Sequence, residues 1–345
     1  MDETGYNIAV VGATGAVGSQ MVSILAECRL PVKELRVFAS PQSSGNKIHF
    51  NDSRVPLRPL SPGCFEHIDI ALFSAGAGVT KKWASEAVGA GALVIDNTSQ
   101  YRMDRDVPLV VPEVNPHELD RRPVKGIVAN PNCSTIQMVV VLKPIYDLFG
   151  LKRVVVATYQ AVSGAGRSAM DELSNQVVSL YNNRPVEVLR FPRQIAFNCI
   201  PKIGDVLENG CTTEEMKMVL ETRKIMGLPG LRISAATVRV PVFHSHSEAV
   251  WLETDRPVDP NEAMEALRTF PGIQVLDEPD KDIYPTALDA AGNDMVMVGR
   301  IRRDTSVENG LSLWIVADNL RKGAALNAVQ IAELMHDHGA LKAKP

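Results

Sequence analysis

The sequence predicts an α/β protein of two domains, a parallel sheet with crossover helices followed by an α+β unit with a mixed sheet. Three observations predict it. The chain opens on an apolar strand that runs into a glycine-punctuated turn and then a helix. Short apolar runs alternate with helical stretches as far as Pro131. Beyond Pro131 the strands lengthen and alternate, as strands with one covered face do. A length of 345 residues fits two domains, at roughly 150 residues each.

The elements follow in order. Residues 7–11 are continuously apolar, and Val17, Met21, Val22, Ile24 and Leu25 then recur at helical spacing before Pro31. Residues 35–38 give a second strand, and the runs 68–73 and 92–95 flank a helical stretch at 80–88, the alternation of a Rossmann-type domain. After Asn130-Pro131-Asn132 the pattern predicts a helix over 134–149 and a long strand over 153–162. Further strands are expected at 233–242, 246–253, 295–303 and 311–316, with helices near 168–180, 212–226 and 261–270. The domains are drawn at 1–131 and 132–320. Periodicity alone leaves open where the closing helical stretch packs, and 321–345 is assigned back to the first domain.

Composition narrows the function. With 45% apolar and 22% charged residues the chain is expected to fold as a globular protein. No apolar run is long enough for a bilayer, and the start MDETGYN lacks the basic region of a signal peptide, so a cytoplasmic protein without a membrane partner is expected. A net charge of −4 with scattered Lys and Arg gives no footprint for nucleic acid. Five cysteines (Cys28, Cys64, Cys133, Cys199, Cys211), odd in number and without a C-x-x-C pair, argue against a disulfide framework or a zinc ribbon.

The segment Gly12-Ala13-Thr14-Gly15-Ala16-Val17-Gly18 joins the first strand to the first helix, where a glycine turn and a helix N-terminus suit a pyrophosphate. A site selective for NAD ends its second strand in Asp or Glu. Here that strand runs into Ala39-Ser40-Pro41-Gln42-Ser43-Ser44-Gly45-Asn46-Lys47, without a carboxylate, which favours NADP over NAD.

Cys133 stands before a helical pattern, where the dipole and free N–H groups favour a thiolate, and it is the best nucleophile of the five. A thiol nucleophile needs a proton acceptor and donor, and His244 and His246 are the candidates. If this stretch is extended the two share a face, whereas a turn at Ser245 separates them. Spacing alone does not choose between them, and no third ligand marks a metal site.

Taken together, GATGAVG (12–18), NPNCST (130–135), YQAVSGAGR (159–167), EEMKM (214–218), RVPVFHSHSEAV (239–250) and DNLRKGAALNAVQ (318–330) resemble the aspartate-semialdehyde dehydrogenase family over nearly the whole chain. The resemblance implies a cysteine thioester enzyme that reduces L-aspartyl 4-phosphate to L-aspartate 4-semialdehyde with NADP, in the synthesis of lysine, threonine, methionine and diaminopimelate. It implies that Cys133 carries the acyl group, that His246 is the acid/base, and that Gln160 orients the reacting groups. It further implies that Arg239 clamps the substrate carboxylate and Glu214 binds the amine, with Arg102, Asn132 and Lys217 on phosphate. Ser163, Gly164 and Asn319 would lie on the nicotinamide side. The second domain would then be the catalytic and dimerisation domain of a homodimer or a dimer of dimers.

The residue chemistry agrees. An arginine fork suits a carboxylate, and a capping box from Thr212 to Glu215 opens a helix on which Glu214 and Lys217 share a face. Without the resemblance that pair reads as a solvated helical ion pair. One departure stands out: relatives commonly read A-S-x-R-S-x-G after the second strand, and Gln42 replaces the arginine on the 2′-phosphate, which makes use of NAD plausible. N-acetyl-glutamyl-phosphate reductases, with P-G-C-Y-P-T around their cysteine, and glyceraldehyde-3-phosphate dehydrogenases, with two threonines after theirs, fit NPNCST less well. A non-catalytic paralogue acting as a binding protein is expected to have lost the nucleophile or the base, yet Cys133 and His246 are both present.

Overall fold

A computed structural model describes residues 5–341. Residues 1–4 of the acidic start and 342–345 of the closing stretch lie outside the described residues. The chain divides into two compact units, one running to Asn132 and resuming at Ala324, the other Cys133–Gly323.

The first unit comprises β1 (Tyr6–Val11), α1 (Ala16–Glu27), β2 (Val32–Phe38), β3 (Lys47–Phe50), β4 (Ser53–Arg58), β5 (Ile70–Phe73), α2 (Ala77–Gly89), β6 (Leu93–Asp96) and β7 (Ile127–Ala129). Its sheet has the order β3-β4-β2-β1-β5-β6-β7, parallel except for the β3–β4 hairpin. Short strands such as Ile70–Phe73 and Leu93–Asp96, apolar but for Asp96, are buried throughout, as strands covered on both faces must be. Ile8, Val10, Leu72 and Ile95 share one core with Met21 and Leu25 of α1 and with Val329, Ile331 and Met335 of the closing helix, Leu326–Asp337.

The second unit comprises α3 (Cys133–Phe149), β8 (Arg153–Gln160), α4 (Arg167–Tyr181), α5 (Thr213–Ile225), β9 (Arg232–Arg239), β10 (His246–Glu253), α6 (Pro260–Thr269), β11 (Ile273–Val275), α7 (Ala287–Ala290), β12 (Val296–Asp304) and β13 (Gly310–Ala317). The order β11-β12-β13-β10-β8-β9 is mixed: β8–β9 and β11–β12 are parallel and the other pairs antiparallel. Helices α3, α5 and α6 cover one face. On the other, Tyr159 and Trp251 are exposed, and the rings of Tyr159 and Trp314 lie 5.4 Å apart.

Strands β8 and β9 stop at Gln160 and Arg239, short of the ends that apolar alternation predicts, because a 3-10 turn over Val162–Ala165 and Pro241 end the ladders. The register pairs Gln160 with Arg239 and Ser247 with Tyr159, so His246, Gln160 and Arg239 end up in one row. Helix α5 opens on the predicted capping box: Glu215 N donates to Thr212 Oγ1 at 3.3 Å, and Thr212 N donates to Glu215 at 2.7 Å. Thr212→Ala is expected to lower the unfolding free energy by about 1 kcal/mol, read from the urea midpoint at unchanged slope.

Candidate active site

In the first unit the glycine loop is fixed by sterics. Gly12 has φ +91, and a Cβ there would sit 2.9 Å from the Ser74 carbonyl. A Cβ on Gly18 would meet the Gly12 oxygen at 2.1 Å, so the helix can approach the loop only without a side chain. Helix α1 starts at Ala16 and Val17 with Gly15 as its cap, leaving first-turn N–H groups for an anion. Beside it lies a cavity of about 560 Å³, lined by Gly12, Thr14, Gly15, Ser40, Pro41 and Lys82 among others. The crowded glycines and this cavity fit a dinucleotide. Gln42 is exposed and Ser43 half-buried in the turn Pro41–Ser43 that adjoins the lining.

Arg102 in the same unit is buried and anchored to strand ends, with Nε donating to the Asn130 carbonyl and Nη2 to the Asn97 carbonyl, each at 2.9 Å. Asp96 orders the preceding turn by accepting from Thr98 N, Thr98 Oγ1 and Thr80 Oγ1. Burial pushes its carboxyl up, and these hydrogen bonds pull it part of the way back. Asn132 is buried at the end of this unit.

In the second unit Cys133 is the first residue of α3 and is partly exposed, whereas the row of strand ends beside it is buried. Gln160 Nε2 donates to Ser134 Oγ at 2.7 Å and to Glu214 Oε1 at 3.1 Å, and its Oε1 has no partner. Glu214 also takes Lys217 Nζ at 3.0 Å. The Glu214 side chain is only 9% exposed, so the pair is a built part of the site and not a solvated helical pair. Arg239 Nη1 donates to the Ala161 carbonyl at 2.6 Å, and burial lowers its pKa against the attraction of Cys133 and Glu214. The same arginine lines a cavity of about 440 Å³ together with Arg190 and Lys202, two cations on irregular segments that sequence spacing did not mark.

His246 and His244 part at Ser245, whose φ of +72 breaks the strand. His244 is exposed, and His246 is wholly buried. Ala161 N donates to His246 Nδ1 at 3.0 Å. An accepting Nδ1 puts the proton of the neutral ring on Nε2, which has no partner in the structure. Burial first, then the Arg239 charge, lower its pKa from 6.5 to about 3, with Glu214 acting the other way. Asn319 Oδ1 accepts from Ser163 Oγ at 3.0 Å and Ser245 N at 2.9 Å, tying the turn before His246 to the loop after β8. That loop passes so close that a Cβ on Gly164 would lie 3.2 Å from His246 Nε2 and 3.0 Å from Arg239 Nη1. Among the described residues no group of His, Cys, Asp or Glu could hold a metal ion, and no helix is long and apolar enough to cross a membrane.

Known proteins bear on both units. Residues 7–122 match the family described as semialdehyde dehydrogenase, NAD binding domain, and residues 142–322 the semialdehyde dehydrogenase, dimerisation domain. The chain is 51% identical over 339 residues to the aspartate-semialdehyde dehydrogenase of Aquifex aeolicus, covering 98% of this chain and 100% of that one. It is 50% identical to aspartate-semialdehyde dehydrogenase 2 of Vibrio cholerae, over 96% and 97% of the two chains. A crystal structure of aspartate semialdehyde dehydrogenase II from Vibrio cholerae complexed with ASA superposes with a TM-score of 0.95 at 49% identity, over 97% and 99% of the chains. The Candida albicans enzyme with NADP gives 0.76 at 26% identity, over 98% and 100%.

A neutral His246 is a measurable state. Imidazole 15N shifts are expected to show a ring protonated at Nε2 and unchanged from pH 8 to pH 5; a titration near 6.5 would contradict the burial argument. Because the folded pKa is depressed, His246 contributes stability above pH 6.5 that is lost as the pH falls toward 3.

Proposed function

The chain belongs to the aspartate-semialdehyde dehydrogenase family, and on that premise we propose that it reduces L-aspartyl 4-phosphate to L-aspartate 4-semialdehyde through a thioester on Cys133. The observation that carries the reading is the buried row of His246, Gln160 and Arg239 beside the helix headed by Cys133. The product feeds the synthesis of lysine, threonine, methionine and diaminopimelate, and a cytoplasmic location suits such an enzyme.

The Cys133 sulfur attacks the acyl carbon, the carbon–oxygen bond to phosphate breaks, and phosphate leaves a thioester. The glycine loop would hold NADPH, with Ser163, Gly164 and Asn319 on the nicotinamide side, and the bound cofactor would supply the hydride that reduces the thioester. The resulting thiohemiacetal expels Cys133 as thiolate and frees the aldehyde. Negative charge develops on the former carbonyl oxygen at both steps, and the unpartnered Nε2–H of His246 and the first N–H groups of α3 are the donors suited to it. Since Nδ1 already accepts from Ala161, His246 serves by donating from Nε2. Arg239 grips the substrate carboxylate, Glu214 the amine, and Gln160 holds the acyl group in line. Arg102, Asn132 and Lys217 are assigned to phosphate. The exposed aromatic face of the second sheet, with Tyr159, Trp251 and Trp314, supports a homodimer.

Phosphate-dependent oxidation of aspartate semialdehyde, run with NADP and NAD in parallel, tests the reading. Turnover with NADP is expected, with a preference weakened by Gln42 and strengthened in Gln42→Arg. Cys133→Ser is expected to lose nearly all turnover while still binding NADP. Substantial turnover in that variant, or none in the wild type, would sink the assignment.

Gly164→Ala adds one methyl where the neighbours must yield by a few tenths of an ångström. It is expected to cut kcat about tenfold or more by displacing His246 or Arg239, with the melting temperature little changed.

A further inference from the structure

Two residues behind the catalytic row, the register places a second polar row on the same inner face of the sheet. Glu248 lies two residues after His246 on β10, opposite Thr158 of β8, which in turn pairs with Thr237 of β9. Only at the next row, Val250, Val156 and Ala235, does the face become apolar. Glu248 is 0% exposed, and neither of its carboxyl oxygens has a hydrogen-bond partner. Thr158 Oγ1 and Gln137 Oε1 are likewise buried without partners. A chain that needed only to fill this space would use leucine or methionine, since a buried acid without partners is costly.

Gln137 lies one turn after Cys133 on α3, on the same helix face, and its Nε2 donates to the His246 carbonyl at 3.2 Å. The link fixes which way the amide points, because exchanging oxygen and nitrogen would set two oxygens against each other. The amide also acts on Glu248, favouring its charged form, but burial dominates and drives the carboxyl well above its ordinary range. The groups facing Glu248 are His246 on its own strand, Gln137 on α3, Thr158 on β8 and Ile315 on β13. None is a cation that would hold it ionised.

We propose that Glu248 and Gln137 form a positioning pair that fixes the His246 backbone against the helix carrying Cys133. As a neutral acid, Glu248 contributes an O–H donor to a row of unpartnered acceptors, and this steadies the Gln137 amide that holds His246. The pair touches no substrate atom. The proposal rests on the reading of Cys133 and His246 as reacting groups.

Glu248→Gln, Glu248→Ala and Gln137→Leu test it, each assayed for kcat, KM, alkylation of Cys133 by iodoacetamide, and melting temperature against pH. Glu248→Gln, neutral and of the same shape, is expected to keep kcat within about threefold. Glu248→Ala and Gln137→Leu are expected to lose about tenfold or more in kcat, with KM within about twofold and the alkylation rate unchanged. A buried acid that stays neutral holds a proton the unfolded chain has released, so wild-type stability falls as pH rises above about 4.5. Glu248→Gln should lack that fall, so its melting temperature gains on the wild type from pH 5 to 8.

The proposal is overturned if Glu248→Gln loses as much kcat as Glu248→Ala, if Glu248→Ala and Gln137→Leu both keep wild-type kcat, or if the melting temperatures of wild type and Glu248→Gln run parallel in pH. Should Glu248→Ala fail to fold, Gln137→Leu and Glu248→Gln carry the same comparison. An inactive wild type would instead overturn the functional reading, while the melting curves still report on the acid.

Discussion

One residue, Ala161, orients both His246 and Arg239, the two groups to which the proposed chemistry assigns proton donation and the grip on substrate. Its N–H points at His246 Nδ1 and its carbonyl accepts from Arg239 Nη1. Its own place is set by the end of β8, by Val162 N donating to Val242 O at 2.8 Å and by Ser163 N donating to Phe243 O at 3.2 Å. A shift of this peptide would move the imidazole tip and the guanidinium fork together. It also decides which nitrogen of His246 is left without a partner, so the tautomer is written into the backbone.

Burial makes these contacts count. His246 is fully enclosed beside a buried arginine, and both effects disfavour its charge. Glu214 sits between Arg239, Lys217 and Gln160 as the anion of the cluster, so the cations are partly balanced before any substrate enters. Arg239 keeps its fork on a cavity with Arg190 and Lys202, a setting in which a small anion finds fixed positive charge instead of mobile solvent. The site is preorganised at the expense of burying polar groups.

The nucleotide loop, the helix behind Cys133 and the capping box of α5 were legible because each rests on local rules: glycine sterics, helix termini and side-chain caps. The family resemblance supplied the roles of Gln160, Arg239 and Glu214, which no spacing rule could assign. The choice between His244 and His246 was not legible from alternation, since it depends on a left-handed φ at Ser245, a residue type with no strong signal for it. Glu248 and Thr158 read as ordinary strand positions, and only the pairing of β10 with β8 brings them into one buried row. The β3–β4 hairpin escaped notice because Pro56 and exposed charges interrupt its pattern, and the three residues of β7 are too few to show a period.

The proposed reaction turns on a covalent acyl group on Cys133. Mixing the enzyme with aspartate semialdehyde and NADP in the absence of phosphate isolates that step, because the thioester then has no phosphate acceptor. A rapid burst of NADPH approaching one equivalent per subunit is expected, with the acyl mass on the peptide that contains Cys133. No burst, or an adduct mapped to another residue, would contradict it.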